Sequence, residues 1–423
     1  MEKLVIQGGK RLKGEIFISG AKNAALPIMA SAILAPGKHS FENVPELRDI
    51  HTMCRLLEEL GAKVDRAKLA SQNLLEIDTS EIKSLRAPYE LVKTMRASIL
   101  VLGPLYARCG RAEVSFPGGC AIGARPVDLH LKGLESLGAR VSVEHGYIFA
   151  EKQKPEGTEI SFDLATVTGT ENVMMAATLT PGKTVLINAA QEPEVVDLAQ
   201  YLIKMGADIK GHGTDRIEIH GVSRLEPRRH RIMPDRIEAG TYMAAAAITG
   251  GELFLKNARH EHLDAVIAKL REAGARIEEQ NDGTRVSRDG KIRGADLRTA
   301  PFPGFPTDMQ AQMMALLSLA DQSLSVITET IFENRFLHAL ELQRMGANIK
   351  IEGNRAIVTG VKKLTGAKVM ATDLRASASL VLAGLAAEGE TQVSRIYHLE
   401  RGYERMEEKL KAAGAEIRRE KEE

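Results

Sequence analysis

The sequence predicts an α/β protein of two domains, each built from three similar units. The chain has 423 residues, which exceeds what one ordinary hydrophobic core organises. One short phrase recurs six times along it, and each copy joins a helical pattern to a strand pattern. A content of 44% hydrophobic and 27% charged residues is typical of globular domains. Together these observations favour six α/β units in two domains.

The recurring phrase reads LEELGAKV at its first copy and returns after roughly 70 residues each time. The later copies are LESLGARV, LIKMGADI, LREAGARI, LQRMGANI and LKAAGAEI, which begin at Leu134, Leu202, Leu270, Leu342 and Leu410. Each copy has the pattern of an amphipathic helix that ends at a glycine in the left-handed conformation and continues into a β-branched strand. The period therefore indicates a repeated structural unit.

A second helix precedes the phrase in each unit, as in NAALPIMASAILAPG, ENVMMAATLTPG and IEAGTYMAAAAITGG. These segments are rich in Ala and Met nearly all round, which predicts burial on every side. The segment RLEPRRHRIMPDR, Arg224 to Arg236, combines two prolines with a run of charges and is the expected domain boundary. Its basic residues fit a solvated linker and a functional segment equally well.

Composition excludes several classes of function. A net charge of +1 and 4% aromatic residues without Trp argue against a nucleic-acid or membrane surface. Cys54, Cys109 and Cys120 show no CxxC spacing, so neither a disulfide framework nor a zinc site is expected. The N-terminus lacks a signal-peptide pattern and no apolar run approaches the ~20 residues of a membrane span. A cytoplasmic location is therefore predicted.

Polar residues recur in the loops that enter the helices. Helix N-termini attract anions, so repeated cations there indicate one cleft for a multiply charged substrate, although a single surface charge is usually only solvated. Asp235, Asp308 and Asp373 also suit ordinary N-caps, and spacing does not select a catalytic one among them. The candidates are Lys22, Asn23, Arg96, Arg125, Asp235, Arg236, Asp308, Arg335, Asp373, Arg375 and Arg401.

The stretch FPGGCAIGARP presents a cysteine on a flexible segment. Gly118 and Gly119 give the loop freedom, and Arg125 is a cation that can lower the pKa of the Cys120 thiol. A thiol with an ordinary pKa of about 8.5 then becomes an efficient proton donor near neutral pH. Cys120 is thus a candidate acid or nucleophile, with an incidental surface cysteine as the alternative. Cys54 and Cys109 lie in helical segments and are interpreted as structural.

The motifs GAKNAALP, KTMRAS, PGGCAIGARPVDLH, EPEVVDLA, PDRIEAGT, FPTDMQAQ, TETIFENRF, ATDLRASASLVLAG and RIYHLERGYER occur in this order. Through them the chain resembles, from end to end, the enolpyruvyl transferase family of UDP-N-acetylglucosamine 1-carboxyvinyltransferases. The resemblance implies two inside-out α/β barrel domains, each of three βαβαββ-like units, with the active site in the cleft between them. Residues 22–233 would form the domain with the Cys120 loop. Residues 1–21 and 234–423 would form the domain with Asp308, Arg335, Arg375 and Arg401.

The implied reaction transfers the enolpyruvyl group of phosphoenolpyruvate to the 3′-hydroxyl of UDP-N-acetylglucosamine with release of phosphate. It proceeds by addition and elimination and is the first committed step of peptidoglycan synthesis. No cofactor and no metal are expected. The expected partners are the two small substrates, without nucleic acid or membrane, and the chain is expected to be a monomer, with an oligomer left open.

The resemblance also implies a role for individual residues. Cys120 would be the proton donor, the site of a covalent phosphoenolpyruvate adduct and the target of the epoxide antibiotic fosfomycin, and Asp308 the base. Lys22, Arg125 and Arg401 would bind phosphate, with Lys22 and Arg401 catalytic, while Arg335 and Arg375 would bind the carboxylate and Asn23 would contact phosphoenolpyruvate. The nucleotide-sugar contacts would be Asn23, Arg96, Arg125, Pro126, Val127, Asp128, Leu129, His130, Leu164, Ala165, Thr166, Val167, Asp308 and Ile331.

The segment that begins at Leu164 departs from the family pattern. Many relatives carry Lys or Arg followed by Ser-Val-Gly, whereas this chain reads LATVTGTEN, which leaves Thr166 and backbone N–H groups as diphosphate contacts.

Two alternatives remain. One is transfer to shikimate 3-phosphate, which the Lys-Asn pair and the Pro-Gly-Gly-Cys loop disfavour. The other is a non-catalytic nucleotide-sugar sensor on the same scaffold.

Overall fold

A computed structural model of the protein describes residues 2–117, 127–332 and 334–422. The described chain divides into two compact units. The first unit consists of residues 20–117 and 127–233. The second unit consists of residues 2–19, 234–332 and 334–422. The N-terminal residues therefore share a unit with the C-terminal half of the chain.

The second unit begins with β1 (Glu2–Gln7) and β2 (Lys13–Phe17). The first unit then contains, in chain order, α1 (Lys22–Ser31), β3 (Lys38–Glu42), α2 (Arg48–Glu59), β4 (Lys63–Asp65), α3 (Leu69–Gln72), β5 (Leu75–Asp78), β6 (Arg86–Ala87), α4 (Tyr89–Val92), α5 (Leu102–Cys109), β7 (Arg111–Ser115), α6 (Asp128–Ser136), β8 (Ala139–Glu144), β9 (Tyr147–Lys152), β10 (Glu159–Ser161), α7 (Val167–Ala177), β11 (Lys183–Ile187), α8 (Pro193–Met205), β12 (Asp208–Lys210), β13 (Arg216–His220) and β14 (Arg229–Arg231). Its three four-stranded sheets have the orders β14-β3-β5-β4, β6-β7-β9-β8 and β10-β11-β13-β12.

The second unit resumes with α9 (Arg236–Thr249), β15 (Glu252–Lys256), α10 (Asp264–Glu272), β16 (Arg276–Gln280), β17 (Gly283–Ser287), β18 (Leu297–Arg298), α11 (Gln310–Leu317), β19 (Leu324–Thr328), α12 (Leu337–Arg344), β20 (Asn348–Glu352), β21 (Arg355–Thr359), β22 (Lys368–Met370), α13 (Leu374–Ala386), β23 (Glu390–Ser394), α14 (Met406–Ala412) and β24 (Glu416–Lys421). Its sheets have the orders β2-β15-β17-β16, β18-β19-β21-β20 and β22-β23-β1-β24.

All six sheets follow one plan, which confirms the predicted βαβαββ repeat. The first two strands of each sheet are parallel and the remaining pairs are antiparallel. In four sheets an inner helix crosses over between the two parallel strands, β6–β7, β10–β11, β18–β19 and β22–β23. Three repeats take a strand from a distant part of the chain, because β14, β2 and β1 complete sheets whose other strands lie far away in sequence. The segment Arg224 to Arg236, predicted as the domain boundary, therefore contains a strand that closes the first sheet of its unit.

In each unit three inner helices pack against one another and the sheets lie outside them. These inner helices are α1, α5 and α7 in the first unit and α9, α11 and α13 in the second. Their side chains are buried on nearly every face. Strands such as β15 alternate instead between buried and more exposed residues. The predicted inside-out arrangement and the predicted burial of these helices on nearly every side are thus confirmed.

The recurring glycine lies just after the outer helix of every repeat and has a positive φ in all six copies. The φ angles run from +82° to +111° at Gly61, Gly138, Gly206, Gly274, Gly346 and Gly414. At Gly414 nothing lies within 4 Å of an added Cβ, so backbone conformation alone selects glycine there. At Gly138 an added Cβ would also lie 1.8 Å from the backbone oxygen of Lys154.

Candidate active site

The inner helices of the second unit begin with aspartate caps. Asp235 accepts hydrogen bonds from the N–H groups of Ile237 and Glu238 at 2.8 and 3.0 Å at the start of α9. Asp373 caps α13 in the same way through two N–H groups at 2.8 and 3.0 Å. Both caps obey the sequence rule that places Asp directly before the first helical turn. Carboxylates therefore neutralise the positive ends of these two helices.

Asp308 lies in a 3₁₀ turn that leads into α11, and two arginines hold its carboxylate. Arg335 donates from Nη2 to Oδ1 at 2.7 Å, while Arg375 donates from Nε and Nη2 to Oδ2 at 3.0 and 2.8 Å. The arginine side chains are 5% and 3% exposed, and that of Asp308 is 26% exposed. Two predicted carboxylate-binding residues and the predicted base thus form one cluster, in which the aspartate is the member that solvent reaches.

The cluster fixes the protonation state of Asp308. Burial raises the pKa of its carboxyl, but the charges and hydrogen bonds of Arg375 and Arg335 outweigh burial and hold that pKa well below its ordinary value. Asp308 is consequently an anion at neutral pH, the form that can accept a proton.

Thr307 and, behind it, Glu329 orient the side chain of Arg335. Its Nη1 donates to Thr307 Oγ1 at 2.8 Å, and the Thr307 hydroxyl donates to Glu329 Oε2 at 2.8 Å. The other oxygen of Glu329 accepts from the Thr299 hydroxyl and from the Ile331 N–H, each at 2.8 Å. Glu329 is 2% exposed and was not singled out from the sequence. It also ties the predicted sugar contact Ile331 to the arginine cluster.

Arg375 lies over the ring of Tyr403, with 5.3 Å between the guanidinium carbon and the ring centroid. Because the Thr241 hydroxyl donates to the Ile237 carbonyl, the Tyr403 hydroxyl donates to Thr241 Oγ1 at 2.9 Å. Arg401, the remaining cation predicted for this unit, is half-buried at the end of the 3₁₀ helix Ile396–Arg401.

In the first unit Lys22 opens α1 and forms a buried ion pair. Its Nζ lies 2.9 Å from Asp49 Oδ2, and the side chains are 9% and 6% exposed. The adjacent Asn23 is exposed. The structure thus gives the predicted phosphate-binding lysine a carboxylate partner that the sequence did not point to.

His130 does not present its imidazole to solvent. Its ring is buried in α6 against α7, where Nδ1 lies 3.0 Å from Asn172 Nδ2 and Nε2 lies 3.2 Å from Thr168 Oγ1. Burial first, and then the nearby charge of Arg96, lowers the pKa of His130 to about 4. The imidazole is therefore neutral at physiological pH.

Several other predicted nucleotide-sugar contacts lie around the starts of α6 and α7, whereas Arg96 opens the 3₁₀ helix Arg96–Val101. Leu164 and Ala165 are exposed, Thr166 caps α7 by accepting from the Gly169 N–H at 3.2 Å, and Val167 is half-buried. Asp128 is exposed, Val127 and Leu129 are buried, and Arg96 is half-buried. Cys120, Arg125 and Pro126 lie outside the described residues.

The two described cysteines behave as predicted for structural thiols. Burial raises the pKa of the Cys54 thiol to about 12 and also raises that of Cys109. Both therefore stay protonated at neutral pH.

Among residues 2–117, 127–332 and 334–422, no group of three or more His, Cys, Asp or Glu side chains is arranged to hold a metal ion. Within the same ranges no helix combines the length and apolar character needed to cross a bilayer.

The larger of two cavities does not lie at the predicted site. A cavity of about 410 Å³ lies in the first unit beside the start of the predicted diphosphate segment, lined in part by Leu129, Lys132 and Phe162. A larger cavity, about 640 Å³, lies at the opposite ends of the inner helices of the second unit, beside Thr249 and Leu385. Only the first adjoins predicted site residues.

The fold is a repeated α/β architecture in which charged side chains gather at the starts of the inner helices. Residues 6–410 match the family model described as EPSP synthase (3-phosphoshikimate 1-carboxyvinyltransferase). The chain belongs to this family of enolpyruvyl (1-carboxyvinyl) transferases.

Relatives and solved structures agree with that assignment. The chain is 60% identical to UDP-N-acetylglucosamine 1-carboxyvinyltransferase of Geotalea uraniireducens (strain Rf4) over 99% of both chains. It is 58% identical to the protein of that name from Geobacter metallireducens over 100% of both. The structure of the enolpyruvyl transferase NikO from Streptomyces tendae matches with a TM-score of 0.87 and 25% identity, covering 99% of this chain and 98% of that one. EPSP synthase from Acinetobacter baumannii shares the fold with a TM-score of 0.76 at 17% identity, over 100% of both chains.

Proposed function

We propose that this chain transfers the enolpyruvyl group of phosphoenolpyruvate to the 3′-hydroxyl of UDP-N-acetylglucosamine and releases phosphate, the first committed step of peptidoglycan synthesis. The observation that carries the proposal is an identity of 57–60% to five relatives of that name, over 99% or more of this chain.

The charges of the described residues suit both substrates. Phosphoenolpyruvate carries a carboxylate and a phosphate, and the nucleotide sugar carries a diphosphate. The planar forks of Arg335 and Arg375 already hold the Asp308 carboxylate, and the same geometry fits the carboxylate of phosphoenolpyruvate. Lys22 and Arg401, with Arg125, are proposed to bind the phosphate. The predicted position of the site between the two domains stays a prediction.

The reaction needs a proton donor, a base and fixed positive charge. In the addition step the sugar oxygen bonds to C2 of phosphoenolpyruvate, its proton passes to a base, and a proton is delivered to C3. In the elimination step C3 loses a proton and the bond from C2 to the phosphate oxygen breaks, which releases phosphate. We assign the base to Asp308 and the donor to Cys120, with the surrounding cations stabilising the developing charge.

The arginines link substrate binding to the strength of the proposed base. The two guanidinium groups that lower the pKa of Asp308 are those proposed to bind the substrate carboxylate. A second anion between them would share their positive charge and raise the pKa of Asp308 toward the range in which a carboxylate accepts protons efficiently.

The test is phosphate release from phosphoenolpyruvate with UDP-N-acetylglucosamine or shikimate 3-phosphate as acceptor. It compares wild type with Cys120→Ala, Cys120→Asp and the control Cys109→Ala, whose half-buried thiol stays protonated. We expect release only with the nucleotide sugar, its loss in Cys120→Ala, partial retention in Cys120→Asp and full retention in the control. Release with shikimate 3-phosphate would move the chain to that reaction, and nucleotide-sugar binding without release would indicate a sensor.

A further inference from the structure

The hydrogen bonds around His130 form a buried relay that runs from Gly103 through Asn172 and His130 to Thr168. They determine which ring nitrogen of His130 carries the proton. The Gly103 N–H donates to Asn172 Oδ1 at 2.6 Å, which identifies that atom as the amide oxygen. Asn172 Nδ2 therefore donates to the Ile99 carbonyl and to His130 Nδ1, both at 3.0 Å. Since Nδ1 accepts, the imidazole proton lies on Nε2 and is donated to Thr168 Oγ1 at 3.2 Å.

Close helix packing holds the relay rigid. A Cβ at Gly103 would lie 2.4 Å from Asn172 Oδ1, and one at Gly133 would lie 2.4 Å from Val173 Cγ2. No side chain fits at either glycine, so α5 and α6 approach α7 closely on both sides of His130. Asn172 is 0% and His130 is 3% exposed. The histidine therefore has one orientation and one tautomer, which is neutral at physiological pH.

The relay ends at a hydroxyl that is half-exposed. Thr168 follows directly after residues 164–167, the segment predicted to contact the diphosphate, and lies in the first turn of α7. Its oxygen accepts from His130, and within the described part of the chain its hydroxyl hydrogen is donated to no other group. That hydrogen is thus available to a ligand beside the segment, at a helix end where anions are favoured.

We infer that Thr168 donates a hydrogen bond to a phosphate oxygen of the nucleotide-sugar diphosphate, and that His130 is a positioning residue that aims this hydroxyl. The inference rests on the proposed function, which supplies the diphosphate. It gives the chain a donor where the family pattern of a basic residue followed by Ser-Val-Gly is missing. It also gives the His130 imidazole an indirect role at the nucleotide-sugar site.

Calorimetric binding of UDP and of uridine to the full chain tests the hydroxyl. Thr168→Val should weaken UDP binding about tenfold or more and leave uridine binding unchanged, because a hydrogen bond to a charged group is lost. Thr168→Ser should bind UDP like wild type. The matched control is Thr214→Val, at an exposed turn of the same unit, which should change neither affinity. Equal UDP affinity in Thr168→Val and wild type would overturn the inference.

Variants of His130 test the indirect role. His130→Leu should weaken UDP binding as much as Thr168→Val, and the double variant should show no further loss. His130→Gln, which can keep a donor near the Nε2 position, should restore most of the affinity. Losses that add in the double variant would show that His130 does not act through Thr168. A wild-type chain that binds neither UDP nor UDP-N-acetylglucosamine would instead overturn the proposed function together with this inference.

In turnover assays, Thr168→Val should raise KM for UDP-N-acetylglucosamine while kcat and KM for phosphoenolpyruvate change little. A purely structural role would instead lower thermal stability and kcat together and raise both KM values. If His130→Leu does not fold, the contrast between Thr168→Val and Thr168→Ser still decides the point.

Discussion

The inner helices of the two units begin in different electrostatic settings, although both units follow one repeat. In the second unit Asp235 and Asp373 cap α9 and α13, and Asp308 before α11 is paired with arginines. In the first unit the neutral Thr166 caps α7, and α1 begins at Lys22 without a side-chain cap. The difference teaches that one scaffold can carry helix ends that bear a carboxylate as well as helix ends that have no negatively charged cap.

Replacing the proposed base should have the largest effect on this comparison. Asp308→Asn keeps the shape of the side chain but removes its charge, so we expect kcat to fall by about 10² to 10⁴. Steady-state phosphate release measures this change. The matched control is Asp289→Asn at an exposed position of the same unit, which should keep wild-type kcat. If kcat of Asp308→Asn stays within a few-fold of wild type, Asp308 is not the catalytic base.

Acid should weaken the neutral relay of the first unit before it affects the Asp308 cluster. The pKa of His130 is about 4 in the folded chain and about 6.5 when unfolded, so the unfolded chain binds the extra proton between these values. Its stabilising contribution is complete above about pH 6.5 and is lost as pH falls toward 4. Because arginines hold the pKa of Asp308 well below its ordinary value of about 3.9, the contribution of Asp308 persists throughout this window.

Urea unfolding of wild type and His130→Gln from pH 7 to pH 4 measures the difference. The variant should lack a pH-dependent loss of about 3 kcal/mol in the free energy of unfolding, since glutamine does not titrate. His338 of the second unit also has its pKa lowered by burial to about 4, so only the difference between the two proteins isolates His130. The control is Thr214→Val, at an exposed turn of the same unit, which removes no titratable group and should show the wild-type slope. Parallel curves for wild type and His130→Gln would contradict the assignment of a neutral imidazole.

The helix caps should show the smallest difference between the units. Asp373→Ala removes two hydrogen bonds to α13 and a favourable charge at its positive end, so we expect a loss of about 1–2 kcal/mol. Thr166→Ala removes one hydrogen bond to α7 and should cost about 1 kcal/mol or less. Denaturant unfolding at neutral pH compares the stability losses of the two variants. Raised salt should reduce the difference between these losses. A larger loss for Thr166→Ala would reverse the proposed contrast.

Much of the fold could be predicted because its signals are local. The glycine after each outer helix and the Ala- and Met-rich inner helices indicated the six repeats. The strand exchange, in which β1, β2 and β14 complete sheets formed by distant parts of the chain, has no local sequence signal. For example, Leu4 pairs with Val393 on one side and with Arg419 on the other. Likewise β14 lies in a charged, proline-containing segment, and only the sheet that it completes makes it a strand.

The residues of the candidate site also differ in whether a local sequence signal could predict them. Lys22, Asp308 and Arg375 lie at helix starts, where position along the chain already gives a physical reason for charge. The partners that orient the site are buried and distant in sequence, as Asp49 and Glu329 show, and their role exists only in three dimensions. Asn172 left only a weak trace in the sequence, because it follows the polar residues Thr170 and Glu171 in a buried inner helix, where polar groups need partners.

The strand exchange sets an order for folding during synthesis. Every strand of the first unit lies between residues 38 and 231, so all its sheet partners exist once that part of the chain has left the ribosome. β1 and β2 emerge earlier, yet β2 waits for β15, and β1 waits for β23 and β24 near the C-terminus. A nascent chain thus carries two unpaired strand edges through most of translation. Residues Leu4 to Ile6, the apolar stretch of β1, are where a chaperone would be needed longest.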